Sequence, residues 1–133
     1  MIQANPPASL DPIKVIYVED STLHAELLRA GLSVYNIEVL HLNNGDESLI
    51  EALSQSRYDA AQAIILDVNI GELNGLQVAR RLRANGDSRP ILVISSEDRP
   101  SNSALMSIQA VFISKPFDFE RISDAIRKFA AHS

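Results

Sequence analysis

Five short runs of apolar residues punctuate the chain: Ile13 to Val18, Ile37 to Leu40, Ala63 to Leu66, Ile91 to Ile94 and Ala110 to Ile113. They are mostly Val, Ile, Leu and Ala with little polar alternation, which predicts strands buried on both faces. Between them the apolar positions change to helical spacing. Leu23, Leu27 and Ala30 mark the first such segment, Leu49, Ile50 and Leu53 the second, and Leu76, Ala79 and Leu82 the third. A shorter pattern covers Ala104 to Ile108, and Phe119, Ile122, Ile126 and Phe129 trace a last amphipathic helix. Ser21 is placed to cap the first helix, Asn44-Gly45 to turn the chain before the second, and Asn85-Gly86 to end the third. Residues 1–12 hold Pro6, Pro7 and Pro12 and no periodicity, so they read as a flexible tail, with the folded domain expected over 13–133.

Strands that alternate with helices predict an α/β domain. Right-handed crossovers place helices on both faces of a mostly parallel, doubly wound sheet. Ligands of such sheets bind beyond the carboxyl ends of the strands, where the strand order reverses. The residues at those ends are Glu19, Asp20, Asn43, Asp67, Ser95, Ser96, Lys115 and Pro116.

Composition narrows the function classes. At 133 residues the chain has the length of one domain, and 46% hydrophobic with 22% charged residues is a globular balance. The formal net charge of -5 lacks the basic excess that a nucleic-acid backbone selects, leaving cations and basic protein surfaces as partners. There is no cysteine, which excludes disulfides, thiolate metal sites and cysteine nucleophiles. No secretory signal and no apolar stretch of the roughly 20 residues that cross a bilayer is visible, so no membrane association is expected and a cytoplasmic location is the default.

Three of the strand-end residues, Glu19, Asp20 and Asp67, are carboxylates. Gathered together they repel and raise one another's pKa unless a cation offsets them. Mg²⁺, or Mn²⁺ in its place, suits such a site: it takes oxygen ligands, keeps several waters and works with one or two carboxylates plus phosphate oxygens. A carboxylate is also a nucleophile toward phosphorus, in a transfer that depends on positioning and charge more than on proton chemistry. Lys115 offers an ammonium to a phosphoryl oxygen and Ser95 a hydroxyl donor. Singly, each has an ordinary explanation, as a solvated strand end, a helix start, a turn before Gly71, a loop serine or a surface lysine. Those explanations leave out why acid, acid, hydroxyl and base fall at the ends of successive core strands.

The stretch Ile64-Ile65-Leu66-Asp67-Val68-Asn69-Ile70-Gly71-Glu72-Leu73-Asn74-Gly75-Leu76, with Ser114-Lys115-Pro116-Phe117, resembles the receiver domain of two-component response regulators, in its single-domain, chemotaxis-regulator-like form. The resemblance runs from about Ile13 to the last helix. It implies a flavodoxin-like, five-stranded parallel sheet in the order 2-1-3-4-5. It implies that Asp67 is the phosphorylated aspartate, that Asp20 is a direct metal ligand, that Glu19 reaches the metal through water and that the Asn69 carbonyl completes the set. Ser95 takes the hydroxyl position that responds to phosphorylation, Lys115 the lysine that contacts the phosphoryl group, and Phe112 the aromatic switch position. Asn69 and Glu97 match places that tune phosphoryl lifetime, so autodephosphorylation is expected, and the Lys115-Pro116 bond is expected to be cis. The output surface would lie around the fourth helix, fifth strand and fifth helix. Glu19 stands where aspartate is commoner, Gly71 where proline is usual, and the usual glycine before the fifth strand is missing.

His24, His41 and His132 match no metal-ligand spacing, which favours surface or structural roles, with His24 alone expected near the site. A phosphorylated His24 would suggest a phosphotransfer protein, but the strand pattern is wrong for a helical bundle. The favoured reading is a phosphorylation-dependent switch. It would be loaded by a histidine kinase or histidine phosphotransfer protein and act on a downstream protein target, with a homodimer left open. The alternative is a receiver-like adaptor that binds its partner without phosphorylation. A metal-dependent hydrolase is disfavoured because no separate acid–base residue accompanies Asp67. Few residues follow Phe129, so output is expected through partners unless the chain belongs to a longer protein.

Overall fold

The computed structural model describes residues 11–43, 48–70, 73–96, 99–116 and 118–131. The expectations placed on residues 1–10, Asn44-Gly45, Gly71, Glu97 and His132 lie outside the described residues.

In chain order the strands are β1 (Ile13–Val18), β2 (Ile37–Leu42), β3 (Ala63–Asp67), β4 (Asn69–Ile70), β5 (Leu73–Asn74), β6 (Ile91–Ser95) and β7 (Ala110–Ser114). The helices are α1 (Thr22–Ser33), α2 (Leu49–Leu53), α3 (Gly75–Ala84), α4 (Asn102–Ser107) and α5 (Phe119–Ala131). The five longer strands form one sheet in the order β2-β1-β3-β6-β7, and each pairing is parallel. This is the expected 2-1-3-4-5 order. β4 and β5 pair antiparallel as a small hairpin between β3 and α3.

Side-chain alternation along the strands divides the core in two. Ile16, Val18, Ile64, Leu66, Ile91 and Val93 face Leu49 and Leu53 of α2 and Val78 and Leu82 of α3. Val15, Tyr17, Ile65, Leu92 and Ile94 face Ala25, Leu28 and Leu32 of α1 and Ile122 and Ile126 of α5. Burial of each large aliphatic side chain contributes about 1.5–3 kcal/mol, and nearly every position of the three central strands is buried.

The first helix forms where expected but shows a different face to the sheet. Leu23 and Leu27 are 67% and 56% exposed, while Ala25, Leu28 and Leu32 enter the core. The segment carries two apolar stripes, and only one fits over β1. Its cap is as expected, since Ser21 Oγ accepts from the His24 amide. Asn85 ends α3, and Gly86 follows with φ of 89°.

Strands β2, β3, β6 and β7 run one or two residues further than the apolar runs, so Asp67 and Ser95 are the last residues of their strands. Hydrogen bonds in ladder style continue even beyond, from Glu19 N to Leu42 O, Val68 N to Ile94 O and Lys115 N to Ser95 O. They bring the carboxyl ends of neighbouring strands to one level.

Opposite that end, Arg83 and Arg89 tie the loops together. The Arg83 guanidinium donates to the carbonyls of Ile108, Asp87, Arg89 and Gln109. Arg89 donates to the carbonyls of Tyr58 and Leu53 and pairs with Asp87 at 2.6 Å. The turn from α4 to β7 has no glycine; Gln109 itself takes φ of 53° there.

Candidate functional site

β1 leads through α1 to β2 on one side, and the chain returns to place β3 on the other side of β1. The order reverses between β1 and β3, where Glu19, Asp20 and Asp67 stand. Asp67 is mostly buried at the end of β3. Its Oδ2 accepts from Lys115 Nζ at 2.6 Å, and its Oδ1 accepts from the Asn69 amide at 3.0 Å. Lys115 follows β7, two strands away in the sheet, and is held there by its own amide bond to the Ser95 carbonyl at 2.7 Å. The Lys115-Pro116 bond is cis, as expected.

The acidic pair divides its positions. Asp20 is exposed at the helix entrance, whereas Glu19 is buried. Glu19 Oε1 accepts from the Tyr17 phenol at 2.9 Å and Oε2 from the Ser21 amide at 3.1 Å. His24 Nδ1 lies 3.7 Å from Glu19 Oε1. His41 also borders the pair, with Nε2 2.7 Å from the Glu19 carbonyl, so His24 is not the only histidine there. The Tyr17 phenol is raised well above its ordinary range. Burial is the largest cause, followed by the charge and hydrogen bond of Glu19 and then the charges of Asp67 and Asp20. One phenol therefore feels all three carboxylates and stays a protonated donor.

Ser95 is buried at the end of β6, level with Ser114 of β7. Phe112 lies opposite Val93, half-buried against the α2/α3 side of the core. It also borders an open groove of about 1020 Å³ shared with Val111, Phe129 and Lys128. That groove is the larger cavity but contains none of the carboxylates gathered at the strand ends. A cavity of about 290 Å³ between Tyr17, His24, Leu27, Lys115 and Phe119 adjoins the Asp67–Lys115 pair instead.

Asn69 is exposed on β4 while its neighbour Ile70 is fully buried, so the loop after Asp67 is anchored in the core. Gly75 closes the same loop. A Cβ there would stand 2.1 Å from the Asp67 carbonyl oxygen, which leaves glycine as the residue that lets α3 start so close to β3. Asn74 caps α3 by accepting from the amides of Leu76 and Gln77. Among the described residues no three His, Asp or Glu side chains converge as a ready-made cation cage. The oxygens of Asp20, Asp67 and the Asn69 carbonyl are nonetheless all hard donors, and two carboxylates with water suit Mg²⁺ better than a dense cage does.

The model of the response regulator receiver domain matches residues 15–127. The chain belongs to this family. Among curated proteins, this receiver domain is 34% identical over 117 residues to Response regulator MprA of Mycobacterium leprae, covering 86% of this chain and 50% of that protein. The MprA of Mycobacterium tuberculosis strain H37Rv is 34% identical over 119 residues, covering 86% and 49%. The chain thus spans about half the length of these curated relatives.

Solved receiver structures share the fold. The signal receiver domain of a putative Luxo repressor protein from Vibrio parahaemolyticus superposes with a TM-score of 0.75 at 22% identity, covering 91% of this chain and 92% of that one. The chemotaxis protein CheY4 of Vibrio cholerae gives 0.71 at 24%, covering 89% and 98%. At these identities the likeness is one of fold. No helix among the described residues of the receiver domain is long and apolar enough to cross a membrane.

Sequence reasoning passed over three residues that shape the site. Tyr17 had been counted only as an apolar strand position, although i, i+2 alternation puts it on the same face as Glu19. His41 was expected only in a surface or structural role away from the site, and Gly75 only as part of the resembling stretch.

Proposed function

We propose that this receiver domain is a phosphorylation-controlled switch in two-component signalling, with Asp67 as the acceptor. The observation that carries the reading is the contact between Lys115 Nζ and Asp67 Oδ2, joining residues 48 positions apart at the reversal point of the sheet. An Asp67 carboxylate oxygen attacks the phosphorus of a phosphohistidine on a kinase or phosphotransfer protein. The P–N bond breaks, its electron pair leaves with the imidazole, and an acyl phosphate remains on Asp67. The Lys115 ammonium, already beside Asp67, offsets charge on the phosphoryl oxygens, and the Ser95 hydroxyl donates to one of them. A divalent cation such as Mg²⁺ would be held by Asp20, Asp67 and the Asn69 carbonyl, with Glu19 acting through water, and would supply charge neutralisation to the phosphoryl group.

The added charge draws the Ser95 hydroxyl toward the phosphoryl group and lets Phe112 repack. The affected surface is that of α4, β7 and α5, where Met106 and Val111 are exposed, and a downstream protein would read it. Asn69, exposed two residues beyond Asp67, has a polar side chain compatible with access of an attacking water, so self-dephosphorylation is part of the reading.

Incubation with Mg²⁺ and acetyl phosphate, followed by intact-mass measurement, tests it. The native chain gains one phosphoryl group and Asp67→Asn gains none. A folded native chain that binds Mg²⁺ yet takes up nothing would favour the phosphorylation-independent adaptor.

A further inference from the structure

Glu19 is a carboxylate that the fold hides, at 4% exposure, and its polar groups are held from four directions. Its amide donates to the Leu42 carbonyl at 3.2 Å, and its own carbonyl meets His41 Nε2 at 2.7 Å. One carboxylate oxygen accepts from Tyr17 and the other from the Ser21 amide. Two bonds on different oxygens fix the plane of the carboxylate as well as its place. Glutamate has one more rotatable bond than aspartate, and a side chain left to turn about it gives up more entropy when ordered by a ligand.

The phenol is well placed for this task. Tyr17 and Glu19 project from the same face of the strand end, and the Tyr17 ring is locked among α1 and α5 core residues at 2% exposure. Its hydroxyl ends on a carboxylate and not on a backbone carbonyl, unlike a tyrosine whose only task is to fill the core.

We propose that Tyr17 is a positioning residue for the divalent cation: its O–H orders the Glu19 carboxylate as an acceptor for the cation's water shell. The inference rests on the cation site described under Proposed function and deepens it. On that reading Asp20 and Asp67 would supply direct ligands, and Tyr17 would compensate for the longer acid beside them.

Calorimetric titration of Mg²⁺ alone, without phosphodonor, into the full chain tests this in four forms: native, Tyr17→Phe, Glu19→Gln and the double variant. Tyr17→Phe weakens Mg²⁺ binding about tenfold, the scale of one hydrogen bond to a charged group. The effect vanishes on the Glu19→Gln background, where the double variant binds as Glu19→Gln does. Far-UV circular dichroism and metal-free melting verify the fold of each form.

Equal Mg²⁺ affinity in native and Tyr17→Phe overturns the proposal. So does an equal loss on both backgrounds, which marks a packing role. A second measurement needs no variant: the Tyr17 ring resonances of the native chain shift with the midpoint of Mg²⁺ binding. Resonances that ignore saturating Mg²⁺ overturn the inference while leaving the cation site intact. A native chain with no Mg²⁺ affinity overturns the cation site itself, and the inference falls with it.

Discussion

Lys115 and Asp67 form an ion pair whose side chains are 26% and 11% exposed, so it is neither a surface pair nor a dry one. The lysine balances the Asp67 carboxylate, and on the proposed reading it would also contact the phosphoryl oxygens after transfer. Lys115→Ala is therefore expected to lower the rate of phosphoryl uptake from acetyl phosphate by about 10²-fold, comparable with loss of one donor to developing negative charge. Time-resolved intact mass measures this. Gly75 packs against the backbone of the same residue, Asp67. Gly75→Ala drives a methyl into the Asp67 carbonyl oxygen, and a destabilisation of about 1–3 kcal/mol is expected in urea unfolding, with slower uptake. The approach of residues 67 and 115 follows from strand order, because Asp67 ends β3 and Lys115 follows β7, two strands away in the same sheet. The Tyr17–Glu19 hydrogen bond is not legible in the sequence, since an aromatic in an apolar run looks like core until its hydroxyl partner is known.

Among the elements, the link from α3 through the α3–β6 loop to the α4–β7 turn is polar. Burial works against the Asp87 carboxylate. The hydrogen bonds and charge of Arg89, with the charge of Arg83, outweigh it and hold the carboxyl below its ordinary value. A depressed acid contributes stability that is complete above its unfolded pKa, about 3.9 for aspartate, and is lost as pH falls through the folded value. Urea midpoints are thus expected to hold from neutral pH down to about pH 5 as far as this group is concerned, and to fall below about pH 4. The fall should be shallower in Asp87→Asn.

Gln109 sits in the left-handed region where a side chain costs about 1–2 kcal/mol. Glycine gives back part of that through its freedom in the unfolded chain. Gln109→Gly is therefore expected to raise stability by about 0.5–1 kcal/mol, read from the same unfolding curves. The missing glycine was visible in the sequence, but the turn it left behind was not, because Arg83, 26 residues earlier than Gln109, holds it by distant carbonyl contacts. The core face of α1 was likewise illegible. Its two stripes are equally apolar, and only the seat on β1 selects Ala25, Leu28 and Leu32.

At the scale of the whole molecule, the parallel sheet and two-faced core follow from alternating apolar runs and helical segments, since parallel strands need crossovers and crossovers of one hand cover both faces, whereas the strand order was implied by the family resemblance alone. The same rule puts chemistry at the reversal between β1 and β3. Which residues act there depends on side-chain reach, and this divides Glu19 from Asp20 although they are neighbours in sequence. On the proposed reading, this receiver domain carries its phosphoryl group on Asp67. The most direct test is borohydride reduction of the phosphorylated native chain followed by peptide mass mapping, because reduction converts an aspartyl phosphate to homoserine. Homoserine is expected at position 67 and nowhere else. Conversion at another acid, or phosphoryl on His24 with Asp67 unmodified, would contradict it.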